Sequence, residues 1–277
     1  MRRSFFFITS RDARLLLLGG GGRVNLDLRR TGRTWLIRRT DEGFVFPDGT
    51  VVDEGTMRAI AKDEGSVYFI GEGVYKAAIR AGHYYKLVPT IPPTIEIDGI
   101  RMHRTKGVDP RKDARMKVDT VAPKEGETVL DTCMGLGYTA IEAAKRGAYV
   151  ITVERDESVL SLARINPWSR ELFTGGRIQV IQGDAFEVVK RFKDRSFDAV
   201  VHDPPRFSLA GELYGRAFYA ELHRVLKPGG RLFHYVGNPG GRYRGKDLQK
   251  GVMERLREVG FSKVRRVREA LGIVAFR

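Results

Sequence analysis

A single cysteine, Cys133, stands among 277 residues. That excludes an intramolecular disulfide and any cysteine-based metal cluster, and points to a reducing compartment. No apolar run reaches the roughly 18 residues that a membrane helix needs. The opening MRRSFFFITSRDARLLLL mimics a signal peptide, but Arg11, Asp12 and Arg14 interrupt it before the apolar stretch is long enough. It reads as folded, cytoplasmic sequence. Side-chain amides are nearly absent: only Asn25, Asn166, Asn238, Gln179, Gln182 and Gln249 occur, and with many Arg and Glu this suggests a thermophile. Acidic residues are the minority charge, 34 against 49 Lys and Arg, for a net charge of +15. A field of that sign favours polyanions, nucleic acid being the commonest. A broadly basic, solvated surface is the competing account.

The chain divides by pattern. Residues 1–90 read as strands and turns, SFFFIT, RLLLL, TWLIRR, GFVF and SVYFI, forming a small β-rich or α+β module. GGGG at 19–22 reads as a hairpin loop rather than a phosphate cradle, since no helix signal follows. The proline-rich LVPTIPPTIEIDG, 87–99, marks a boundary, and 91–125 becomes a linker with a basic lead-in. From 126 to 277 strand-like runs alternate with helical segments, which predicts an α/β domain on a mostly parallel sheet. Such sheets bind ligands beyond the carboxyl ends of their strands.

Three carboxylates fall at expected strand ends. Asp131 in LDTCMGLGYT precedes Gly135 and Gly137, a tight turn that allows close backbone approach to a ligand. Glu154 ends the next strand, where a ribose would need an acceptor. Asp184, followed by Ala185, ends the third, placed to accept from an adenine amino group. The set fits an adenosine-containing ligand better than a pyrophosphate, because no strict G-x-G-x-x-G is present. An NAD-binding domain is the competing reading.

Residues 126–237 resemble the class I S-adenosylmethionine-dependent methyltransferases. The resemblance implies a Rossmann-like seven-stranded sheet and S-adenosyl-L-methionine as cofactor. It casts Asp131, Gly135 and Gly137 as the glycine motif, Glu154 as the ribose ligand, and Asp184 with Ala185 as the adenine turn. RVLKPGGRLFHYV resembles that family's helix, turn and fifth strand. Cys133 stands where many members carry the first glycine.

HDPPRF, 202–207, ends the expected fourth strand. An exocyclic base amine is a poor nucleophile because its lone pair is delocalised. Asp203 and the Pro204 carbonyl can accept its two N–H bonds and orient the nitrogen. Pro204 and Pro205 fix φ and offer no backbone donor. Enzymes that methylate amino nitrogens carry Asp or Asn, Pro, Pro and an aromatic that stacks on the base. Here the aromatic comes one place late, so Arg206 or Phe207 takes that role. An ordinary strand-to-loop turn is the plain alternative.

Other chemistries are tested by absence. Pyrimidine C5 methylation usually needs a cysteine nucleophile, and Cys133 sits in the cofactor turn. Ribose 2′-O methylation calls for a lysine near the fourth strand, and none is evident there. His202, His223 and His234 read as structural rather than metal-binding, and no metal is expected. The basic stretch 99–121 reads either as a phosphate-contacting arm or as a solvated helix. Arg2, Arg3, Arg11, Arg14, Arg23, Arg29, Arg30, Arg33, Arg38 and Arg39 are consistent with RNA docking. NPGGRYRGK, 238–246, reads as a basic loop with Tyr243 for stacking, or as plain surface.

The expected function is methylation of an exocyclic amine in RNA. The whole chain is similar to archaeal proteins described as predicted methyltransferases, and that resemblance implies cytidine N4 in ribosomal RNA. Guanine N2 or adenine N6 in tRNA or rRNA stays open. So do a protein side-chain N-methyltransferase, a polyamine aminopropyl transferase, and an RNA-binding assembly factor without turnover.

Overall fold

A computed structural model describes residues 5–237 and 248–277. Arg2, Arg3 and the basic loop 238–246 lie outside the described residues. The chain forms two compact units, one of Met1–Pro110 with Ser161–Arg170, the other of Arg111–Leu160 with Glu171–Arg277.

The first unit is α+β. Its strands are β1 (Phe6–Thr9), β2 (Gly21–Val24), β3 (Trp35–Thr40), β4 (Gly43–Val45), β5 (Val51–Val52), β6 (Val67–Ile70), β7 (Val74–Lys76), β8 (Ala78–Ala81), β9 (His83–Val88), β10 (Thr94–Ile97) and β11 (Ile100–Arg101). They make three sheets, β1-β6-β7, β2-β3-β4-β5 and β11-β10-β9-β8. Ile8, Leu16, Ile37, Phe44, Met57, Ile60 and Ile70 share its core, joined by helices α1 (Ser10–Gly19) and α2 (Glu54–Lys62).

Two local expectations change. RLLLL is helical, not a strand: it lies in α1, where Asp12 accepts hydrogen bonds from Thr9 N and Oγ1 at the helix start. Ala13 and Leu16 are buried three apart while Leu15 and Leu18 are exposed, a helical period. The GGGG run is accordingly no hairpin loop. Gly20 ends α1 in the left-handed region (φ 60°) and Gly21 begins β2. Beyond residue 90, strands β10 and β11 pair within the sheet of β8 and β9, so pairing continues through the proline-rich stretch to Arg101, and the first unit runs to Pro110.

The second unit begins with α3 (Pro110–Val121). There follow β12 (Thr128–Asp131), α4 (Tyr138–Ala144), β13 (Tyr149–Glu154), α5 (Glu157–Ile165), whose residues from Ser161 on are counted with the first unit, α6 (Arg170–Thr174), β14 (Ile178–Gln182), α7 (Ala185–Val189), β15 (Phe197–His202), α8 (Arg216–Val225), β16 (Leu226–Tyr235), α9 (Leu248–Val259), β17 (Ser262–Val267) and β18 (Gly272–Phe276). Seven strands form one Rossmann-like sheet in the order β14-β13-β12-β15-β16-β18-β17. The first five run parallel, and β18 is antiparallel to both β16 and β17. Leu130, Val200, Phe197, Phe218, Tyr219, Leu222 and Leu232 are among the side chains of its core. Among the described residues no helix is long and apolar enough to cross a membrane.

Candidate active site

The site is assembled at the carboxyl ends of β12, β13 and β15. Residues 134–137 form a tight turn closed by Gly137 N donating to Met134 O (2.7 Å), and Met134 N donates to Val153 O (2.8 Å). Gly135 and Gly137 both take left-handed φ, 55° and 73°, which only glycine adopts cheaply. Their surroundings differ. A Cβ on Gly137 would lie 2.3 Å from Leu172 Cδ1, whereas one on Gly135 would meet nothing within 4 Å. Gly137 serves packing; Gly135 keeps an open backbone face on which a ligand can lie.

Glu154 braces that turn. Its Oε2 accepts from Gly135 N and its Oε1 from Asp156 N, each at 2.9 Å. Burial raises its pKa, against these two backbone hydrogen bonds. Asp131 sits differently from the expectation. It is fully buried, accepting from Thr152 Oγ1 (2.7 Å) and Thr139 Oγ1 (3.2 Å), and burial pushes its pKa up to about 7. Its carboxylate is thus held by hydroxyls of β13 and α4 and is closed off from solvent. Asp184 is the N-cap of α7: Oδ1 accepts from Phe186 N (2.9 Å) and Glu187 N (3.3 Å), and Oδ2 lies 3.6 Å from Arg155 Nη1. Ala185, the first residue of that helix, is buried.

Beside the glycine turn, Thr132 N donates to Val201 O (3.1 Å) and Thr132 Oγ1 meets His202 Nδ1 (2.7 Å), so the turns after β12 and β15 are neighbours. Asp203 follows β15 directly, its side chain 20% exposed. Tyr214 Oη donates to the Pro205 carbonyl (2.9 Å) and fixes the double-proline turn. Among the described residues nothing donates to Asp203 Oδ1 or to the Pro204 carbonyl. Arg206 and Phe207 are exposed, and Phe207 packs edge-on against Tyr214 with centroids 5.4 Å apart.

The sequence reading missed a residue here. Lys117 of α3, its side chain 3% exposed, places Nζ 2.6 Å from Asp203 Oδ2 and 2.8 Å from Asp113 Oδ2. The same ammonium lies 4.3 Å from the Tyr235 ring centroid, a cation–π distance. Burial would lower the Lys117 pKa, but Asp203 and Asp113 outweigh it and hold the group above its usual range. Burial raises Asp203, and Lys117 opposes the rise. A lysine therefore does stand at the fourth parallel strand, contrary to the expectation, but a base is what it cannot be: its proton is locked between two carboxylates.

Other charges of α3 are paired within the unit: Arg111 and Arg115 with Glu142 at 2.9 and 3.6 Å, and Asp119 with Arg146. In the first unit Arg14, Arg29 and Arg39 likewise pair with Glu64, Asp12 and Glu54. Burial pushes His202 down to about 3 and His234 well below its usual value. Both are neutral core groups, His234 Nε2 meeting Tyr219 Oη at 2.9 Å. Burial also raises the Cys133 thiol, which is no nucleophile in that state. Among the described residues no group of three His, Cys, Asp or Glu is placed to hold a metal.

A family model described as a methyltransferase domain matches residues 129–230. Over 97% of its length the chain is 62% identical to "Uncharacterized protein MJ1233" of Methanocaldococcus jannaschii, covering 94% of that protein. It is 30% identical over 142 residues to polyamine aminopropyltransferase 2 of Streptomyces coelicolor and 30% over 176 residues to ribosomal RNA large subunit methyltransferase I of Aeromonas hydrophila. These matches take in 48% and 56% of this chain but only 26% and 43% of those enzymes. The structure of spermidine synthase from Thermotoga maritima superposes with a TM-score of 0.57 at 19% identity, covering 72% of this chain and 70% of that one, which is a likeness of fold. The chain belongs to the family of MJ1233, within the class I superfamily of S-adenosylmethionine-using methyltransferases and aminopropyltransferases.

Proposed function

We propose that the protein methylates an exocyclic amino nitrogen of a base in RNA, with cytidine N4 of ribosomal RNA as the specific form. The carrying observation is the pair of acceptors at the end of β15, Asp203 Oδ1 and the Pro204 carbonyl, which have no donor among the described residues. An –NH2 group brings two N–H bonds to two acceptors, which turns its lone pair out of conjugation and toward the methyl donor. Gly135, Glu154 and Asp184 with Ala185 would hold S-adenosylmethionine, whose sulfonium supplies an electrophilic methyl group. The nitrogen would gain a bond to carbon as the sulfonium–methyl bond breaks and leaves a neutral thioether, and would give up one proton, which Asp203 could accept. Exposed Phe207 and Arg206 offer a surface on which the extruded base stacks. The net charge of +15 suits a polyanionic substrate, and a ribosomal RNA methyltransferase is among the relatives.

Aminopropyl transfer to a polyamine is the second reading, and the relatives favour it more: an aminopropyltransferase matches in sequence. Charge weighs the other way. A polycationic acceptor calls for an acidic pocket, and the half-buried carboxylate of the β15 turn, Asp203, is already held by an ammonium. One experiment separates the two. The protein is incubated with labelled S-adenosylmethionine and RNA from a strain lacking the gene, and in parallel with decarboxylated S-adenosylmethionine and putrescine. Labelled N4-methylcytidine supports the first reading, a labelled guanosine or adenosine amine moves the base, and labelled spermidine replaces the reading with the second.

A further inference from the structure

We infer that Lys117 is a positioning residue that aims Asp203 and makes the acceptor pocket select an uncharged amine over an ammonium. The inference deepens the function proposed above and rests on it.

The geometry gives one ammonium three partners from three elements: Asp113 one turn away on α3, Asp203 after β15, and the Tyr235 ring on β16. Of the three, the hydrogen bond is the one to Asp203, while Asp113 and the ring hold the ammonium as an ion pair and a cation–π contact. The helix that carries it is itself fixed, Arg111 and Arg115 both gripping Glu142 of α4. Lys117 engages only Oδ2 of Asp203, which sets the carboxylate plane and leaves Oδ1 as the acceptor. No other described side chain is hydrogen-bonded to that carboxylate. A loosely held carboxylate would rotate, and misplacement on the scale of an ångström costs about a hundredfold in rate.

The second consequence is electrostatic. A protonated aliphatic amine that bound Oδ1 would come within a few ångströms of the Lys117 ammonium, which offsets much of the attraction that Asp203 and Asp113 would otherwise exert on it. A base amine is neutral and loses nothing by that offset. The cation thus discriminates between acceptors that are both nitrogen nucleophiles, by removing the advantage of the charged one.

Lys117→Met alone leaves Asp113 and Asp203 buried together without a cation, and that variant can fail to fold for this reason alone. The informative variant is Asp113→Asn with Lys117→Met, which removes one charge of each sign and keeps the net charge. For this double variant the expected result is a melting temperature near that of the wild type. kcat should fall about a hundredfold, with the dissociation constant for S-adenosylmethionine and KM for RNA each changed less than about threefold. The acidic limb of the kcat–pH profile should also move to higher pH, because the cation that opposes protonation of Asp203 is gone. The charged and titratable groups around Asp203 are Lys117 and Asp113 of α3, Asp131 and Cys133 beside the glycine turn, and Tyr214. Asp131 and Cys133 are unchanged in the variant. Wild-type kcat with an unmoved limb would overturn the positioning role.

Selection is tested on the wild type without any variant. Putrescine at millimolar concentration should leave RNA methylation unchanged, whereas saturable inhibition competitive with RNA would overturn it. If RNA is never labelled and putrescine with decarboxylated cofactor is, the proposed function fails and selection fails with it. The pH and kcat readouts on the double variant, taken with the substrate that works, still decide positioning.

Discussion

Leu172 occupies the volume that a Cβ on Gly137 would fill, 2.3 Å from Cδ1 and 2.5 Å from Cδ2. Gly135, two residues earlier in the same turn, faces open space. Alanine at the two positions should therefore do different things. Gly137→Ala combines overpacking with a left-handed backbone and should destabilise by about 2–4 kcal/mol, in part relieved by Leu172→Ala. Gly135→Ala should cost about 1–2 kcal/mol for its backbone while weakening S-adenosylmethionine binding more than Gly137→Ala does. Denaturant melts and calorimetric titration give both numbers, and equal effects on cofactor binding would refute the division.

Asp203→Ala should lower turnover by about a hundredfold to a thousandfold, in the range for loss of one preorganised polar group. Cofactor binding should persist, since Glu154, not Asp203, braces Gly135. Turnover comes from single-turnover assays and affinity from calorimetry. Equal loss of both would place Asp203 in the cofactor site instead.

Much of the architecture follows from local pattern. Alternating strand and helix segments between 126 and 277 predict the sheet because each strand is bounded by its own turn signals, and the strand-end positions of Asp131, Glu154 and Asp203 come with them. What local pattern misses has two causes. Four consecutive leucines, 15–18, carry no period of their own, and only burial of Leu16 with exposure of Leu15 and Leu18 shows the helix. Lys117 meets Asp203 across 86 residues, and no local rule reaches that far. A partial signal was present: Asp113 and Lys117 stand at i and i+4, one above the other on a helix. The cap role of Asp184 was equally open to reading, as Asp is among the preferred residues before a helix.

Asp131 should make folding stability depend on pH. Its pKa rises from 3.8 to about 7 on folding, chiefly through burial, so the folded state binds a proton that the unfolded chain has released. Stability from this group is full below about pH 4 and is lost as pH rises to about 7. Asp131→Asn cannot ionise and should be free of that decline. Chemical denaturation of both proteins across pH 4–8 should show the wild type losing ground to the variant as pH rises, and parallel curves would mean that Asp131 stays ionised in the fold.

Phe207 provides the sharpest separation of substrate binding from stability. It is 50% exposed and touches Tyr214 only edge-on, so Phe207→Ala should change stability by less than about 0.5 kcal/mol, as surface substitutions do. If the ring stacks on an extruded base, its loss removes about 1–3 kcal/mol of binding, and KM for RNA should rise about fivefold or more while cofactor affinity holds. Arg206→Ala, tested beside it, tells which side chain carries the stacking. The two are adjacent on one exposed turn, and a base plane can rest on a guanidinium as well as on a ring. A normal KM for Phe207→Ala with a raised one for Arg206→Ala would move the base onto the arginine. Normal values for both would remove the turn after Pro205 from the RNA-binding surface and leave Asp203 and Pro204 as its substrate contacts.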